Sequence, residues 1–194
     1  MELGRRFAMP EKDLLDFTFA SVWRACSLAG SMILRVAQYD EAILRRPGIA
    51  VETFDEELSL LAEDMLETMH EEEGIGLAAH QVGRAIRMFV MDIRPATSEV
   101  ALPCVLDGRE LPLDIAMPMI LVNPEVETFG EELTWEEGCL SLPEIRGEVT
   151  RPSHARVSFQ DLEGHPHLLE CDGLLARCAQ HEHDHVNGVL FIDS

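Results

Sequence analysis

One helix near the end of the chain limits the folds open to it. Between Asp172, a good helix-capping residue, and Gly188, a good helix-ending one, Leu174, Cys178, His181 and His185 recur at steps of four, three and four. They share a face, and Gln180-His181-Glu182-His183-Asp184-His185 reads H-E-x-x-H. Two histidines four apart on a helix point the same way, so both imidazoles can bind one divalent metal. Glu182 can reach a water on that metal and move its protons. A third ligand is still needed. Only nine residues follow His185, and Asp193 is the sole acid among them, so the ligand must come from upstream.

The best upstream candidate is Cys139, inside Glu137-Gly138-Cys139-Leu140-Ser141-Leu142-Pro143. A thiolate on a dication is deprotonated outright and needs no other activation. On residues alone, two plainer readings stay open: helix histidines that merely pack, and a buried structural cysteine. The other cysteines are Cys26, Cys104, Cys171 and Cys178. An odd total without a C-x-x-C pair or a secretory signal fits a reducing compartment, the cytoplasm. Cys171 and Cys178 read as small buried hydrophobes.

The rest of the chain gives a coarse outline. Residues 1–31 show no clean periodicity, and their acids do not suit a transit peptide. They read as an extension dispensable for activity, with Met32 an alternative start. A helix is predicted from about Phe54 to Glu73, with Thr53 and Glu56 as a capping box and Gly74 ending it. Leu58, Leu61, Met65 and Met69 form its apolar face. Met88 to Ile93 reads as a buried strand and Ile120 to Val126 as another. The segment Arg94 to Pro118 carries four prolines and a turn signal at Asp107-Gly108, so it reads as an inserted loop or hairpin. Arg156–Gln160 and His167–Glu170 form a hairpin by pattern.

Three segments then act together: Gly74-Ile75-Gly76-Leu77-Ala78-Ala79-His80-Gln81, the Cys139 segment, and the H-E-x-x-H segment. In this order they resemble the peptide deformylase family, over roughly Ile33 to Asp193. The resemblance implies an α+β fold with antiparallel β-sheets packed around the central C-terminal helix. It implies a catalytic domain over 32–194. Cys139, His181 and His185 match the family's ligands to one divalent ion, iron(II) favoured, with zinc or another divalent metal as substitutes. Glu182 matches the residue that moves the water's proton. Gln81 and the backbone N–H of Leu140 match the donors to the oxyanion. Gly76 aligns with a backbone contact to substrate, Ile75 with the lining of the methionine pocket, and Arg151 with an arginine near the site mouth. His80 stands where the family often has proline or a small residue, and reads as a rim residue. His183 reads as a surface residue or one just behind the metal ligands.

The activity implied is removal of the N-formyl group from the initiator methionine of new polypeptides, releasing formate. Nascent chains are the expected partners, with ribosome contact, no membrane and no oligomer. A formal charge of −21, from 15 basic and 36 acidic residues, argues against DNA binding and against docking on RNA by a broad basic surface. No apolar run reaches the 18 or so residues of a membrane helix. Two other functions compete: a zincin-like endopeptidase, which would place its third ligand downstream, and an idle homologue that only binds metal or formyl-peptide.

Overall fold

The computed structural model describes residues 32–96 and 104–193; the predicted extension over residues 1–31 lies outside the described residues. The fold is α+β. Seven strands, β1 (Gly76–Ala78), β2 (Met88–Met91), β3 (Cys104–Leu106), β4 (Arg109–Glu110), β5 (Met119–Cys139), β6 (Leu142–Gln160) and β7 (Pro166–Asp172), pair in the order β1-β2-β5-β6-β7-β3-β4. Every pairing is antiparallel. One continuous sheet thus stands where several were expected. β5 and β6 are 21 and 19 residues long, and their ladder carries register shifts at Val122/Glu125, Phe129/Glu132 and Gly138/Cys139. Such irregularities bend and twist a strand without ending it, so one ladder can serve more than one layer.

The helix α1 spans Glu56–Glu71 and buries Leu58, Leu61, Ala62, Met65, Leu66 and Met69. These pack with Leu77, Met88, Val90 and Val122 of β1, β2 and β5. Its start differs from the expected capping box. Asp55, not Thr53, is the cap, and its carboxylate accepts from the Leu58 N–H at 3.1 Å. Its end differs too: Glu73 takes the left-handed backbone (φ 56°), while Gly74 serves a close approach. A Cβ on Gly74 would lie 2.9 Å from Leu140 Cδ1.

The predicted insertion belongs to the sheet. Asp107 and Gly108, both at positive φ, turn β3 into β4, and β3 pairs with β7. A short helix α2 (Leu113–Ala116) follows. The last helix, α3, spans Gly173–Val186 and contacts β1, β2, β5, β6 and β7. Leu175, Ala176, Cys178, Ala179 and Val186 of α3 join the main apolar core with Phe89, Leu121, Val157 and Leu169. Asp172 holds the cap position, but its side chain makes no capping bond. Gly188 ends the helix at positive φ as predicted.

Candidate metal centre

Cys139 closes β5, where the chain turns through Leu140 and Ser141 into β6. That turn brings the thiol onto α3. Cys139 Sγ lies 3.2 Å from His185 Nε2, and one ligand atom from each of Cys139, His181 and His185 falls within 4.8 Å of the others. The two imidazoles stand edge to face, with ring centroids 5.0 Å apart.

Behind the imidazoles lies a buried ionic cluster. His181 Nδ1 meets Glu137 Oε2 at 3.0 Å, which leaves its other nitrogen for the thiol side. The Glu137 carboxylate also accepts from Arg151 Nε at 2.7 Å, Arg151 Nη2 at 3.1 Å and Arg177 Nη1 at 2.6 Å. Burial pushes the Glu137 carboxyl up, but the hydrogen bonds from His181 and Arg151 outweigh it and bring it down to about 2. Arg151 Nη1 reaches Asp184 Oδ2 at 2.7 Å. Arg151 is therefore not at the site mouth as expected. It is buried, because its guanidinium is committed to two carboxylates behind the histidines.

In front of the imidazoles a cavity of about 590 Å³ is lined by Ile75, Gly76, Gln81, Cys139, Leu140, His181 and Glu182 among others. Glu182 is buried within it, and Oε2 has no hydrogen-bond partner. Burial above all raises its carboxyl to about 7, against the pull of the His181 and Arg151 charges. Gly76 is what lets β1 pass here: a Cβ would collide with the Glu182 carboxylate. Gln81 sits on a 3₁₀ turn over Ala79–Val82. Its Oε1 accepts from Ala78 N–H at 2.8 Å, so its Nε2 faces Cys139 Sγ at 3.5 Å and Ser141 Oγ at 3.3 Å.

The donor set fits a divalent cation. A thiol and two imidazoles suit zinc or iron(II). Burial disfavours charge on His181, yet hydrogen bonds to Cys139 and Glu137 raise it to about 10, so this spot favours positive charge. Burial, then the His181 charge, holds His185 well below its ordinary value. Neutral imidazole is the ligating form.

Two histidines fall elsewhere. His80 is buried and absent from the cavity lining, so it is not a rim residue. His183 meets Asn187 on the turn at the end of α3. Cys171 and Cys178 are buried thiols as expected, and burial pushes Cys171 up to about 12. Sequence reading missed Arg177, although its position four residues before His181 puts it on the ligand face. Glu137 was quoted within its segment without a role, since no linear signal reports its buried partners.

The polypeptide deformylase family model matches residues 33–194. The peptide deformylase of Opitutus terrae is 53% identical over 164 residues, covering 84% of each chain. The crystal structure of peptide deformylase from Thermotoga maritima superposes with a TM-score of 0.70 at 38% identity, over 84% of this chain and 97% of that one. A peptide deformylase from Synechococcus elongatus, crystallised with actinonin, gives the same TM-score and identity over 82% of this chain and 77% of that one.

Proposed function

The chain belongs to the polypeptide deformylase family, hydrolases that deformylate nascent peptides, and on that premise we propose how its own residues carry out the reaction. The catalytic domain covers 32–194, with 1–31 an extension. Cys139, His181 and His185 would hold one divalent ion, iron(II) favoured, with zinc or another divalent metal as substitutes. When bound, that ion supplies an electrophile and a water activated near neutral pH.

The remaining work falls to protein groups. Glu182 takes the proton from water as the new C–O bond forms, then delivers it to the amine as the C–N bond breaks. Formate and a free N-terminal methionine leave. A carboxyl near 7 suits both halves of that transfer, and such a group contributes about a hundred- to ten-thousand-fold. Gln81 Nε2–H and the backbone N–H of Leu140 donate to the formyl oxygen as it gains charge. Losing one such donor costs about a hundred- to thousand-fold. The backbone of Gly76 hydrogen-bonds the peptide, and Ile75 lines the methionine pocket. Arg151 is reassigned as a positioning residue that acts through Glu137 on His181.

The observation that carries this reading is the unpartnered, buried Oε2 of Glu182 in the cavity that Cys139 and His181 line, with His185 beside them. No helix among the described residues is long and apolar enough to cross a membrane. The enzyme acts in the cytoplasm as a monomer, on chains at the ribosome. Its test is formate release from formyl-Met-Ala-Ser by anaerobically purified, iron-loaded protein, beside Glu182→Ala. Turnover by the wild type, and its near-loss in a variant that retains the metal, is the expected result. No turnover by fully metallated wild type overturns it, and cleavage of unformylated peptides would favour an endopeptidase.

A further inference from the structure

The two ligand histidines are supported unequally. His181 Nδ1 meets the Glu137 carboxylate, so that ring is fixed from behind. His185 presents Nε2 to Cys139 Sγ, which turns its Nδ1 to the far side. There Nδ1 is buried and has no hydrogen-bond partner. When Nε2 ligates, Nδ1 of the neutral ring carries the hydrogen, so it is a buried donor in need of an acceptor. Ligating histidines almost always give that hydrogen to a carboxylate, a carbonyl or a water.

An acceptor stands nearby. Among the described residues four buried side-chain atoms lack a partner: Glu182 Oε2, His185 Nδ1 and both ring nitrogens of His80. His80 lies on the 3₁₀ turn Ala79–Val82, which packs against α3. Gly48 joins the two. Its N–H donates to the Val186 carbonyl at 2.8 Å, one residue past His185, and a Cβ on Gly48 would lie 3.0 Å from His80 Cε1. His80 is close enough that a charge on it would be felt at His185. Burial above all lowers the pKa of His80, against a smaller upward pull from the Arg46 carbonyl. A neutral imidazole keeps one bare nitrogen that accepts. The two rings do not bond each other directly, and a buried water bridges such a gap where polar atoms on both sides hold it.

We propose that His80 is a positioning residue of the metal centre: His185 Nδ1–H donates to one buried water, and that water donates to the bare nitrogen of His80. The inference rests on the metal-centre reading of Cys139, His181 and His185 and adds a member behind it. One turn then serves both sides of the centre, with Gln81 facing the thiol and His80 behind the second imidazole. Fixing the ring keeps the Nε2 lone pair aimed at the ion, so the effect falls on metal affinity before turnover.

The experiment compares zinc-loaded wild type, His80→Leu and His80→Gln, each as the full chain. Leu fills the space without an acceptor, and Gln restores one. Chelator competition should show zinc held about 10- to 100-fold more weakly by the Leu variant, the usual loss when a ligand's outer partner goes. The Gln variant should recover most of that loss, which a packing role would not produce. Nitrogen-15 NMR of the histidine rings gives a second readout. In the wild type a proton on His185 Nδ1 should exchange slowly and show a cross-peak to a long-lived water. Equal zinc affinity in the Leu variant and the wild type overturns the inference, as does a Gln variant that binds no tighter than the Leu one. If the Leu variant does not fold, the wild-type spectrum decides: an Nδ1 proton that exchanges at the solvent rate, or lacks the water cross-peak, overturns it. Wild-type protein that takes up no zinc would sink the metal-centre reading and the inference with it.

Discussion

Two groups of ligand-type side chains stand among the described residues, and only one is built as a centre. Cys139, His181 and His185 meet on α3, largely buried, with Glu137 fixed behind them and a cavity in front. Asp161, Glu163 and His165 also bring their ligand atoms within 4.8 Å, on the turn between β6 and β7. There Glu163 and His165 are exposed, and the neighbouring His167 is already occupied, with Nδ1 2.8 Å from Asp107 and Nε2 3.2 Å from Asp161. Proximity is common to both groups. Burial and an oriented partner belong to the first alone. A metal gains most where water is excluded and the donors need no rearrangement, and Glu137 against His181 supplies that order.

The sharpest test of the contrast is Cys139→Ala. It should strip the tightly held ion and take turnover below detection, read by metal analysis and formate release. Retained metal at wild-type affinity would remove Cys139 from the ligand set. Next in size, Glu137→Gln should weaken metal affinity about 10- to 100-fold, as losses of a ligand's outer partner do. A chelator competition titration measures this, and an unchanged affinity would mean the buried cluster only packs. The turn group should be far less consequential. His165→Ala should leave one ion per chain after desalting, and a second ion that the variant loses would break the contrast.

The smallest effect concerns His167 and stability. Burial lowers its pKa, but the hydrogen bonds it donates to Asp107 and Asp161 outweigh this and leave it raised. A raised histidine stabilises the fold fully below its unfolded value near 6.5, and that contribution fades as pH rises through the folded value. His167→Gln should therefore lower stability at pH 5.5 by under about 1 kcal/mol. The difference should vanish at high pH, as followed by urea unfolding across pH.

Elements with a one-sided apolar pattern were legible in the chain. Leu58, Leu61, Met65 and Met69 announced α1, and Met88 to Met91, wholly buried, announced β2. The outer halves of β5 and β6 were not. From Glu127 to Glu136 hardly any residue is buried, because the two strands pair as a ribbon with little core on either face. Without a buried face there is no alternation to read. β3 was legible as one arm of a hairpin turning at Asp107-Gly108, but its other partner, β7, more than sixty residues away, was not.

The candidate site divides along the same line. Helical spacing put His181 and His185 on one face with Glu182 beside them, and the segment around Cys139 offered a candidate third ligand. Both follow from covalent order and the 3.6-residue turn, which any chain of this sequence carries. What the tertiary structure alone decided is what surrounds those groups. It turned Arg151 away from the cavity mouth and into a cluster with Glu137 and Asp184, and it added Arg177. It left Glu182 Oε2 buried without a partner and buried His80 away from the cavity. Charge states and orientations depend on what lies across space within a few ångströms, and linear order does not encode that until the strands have paired.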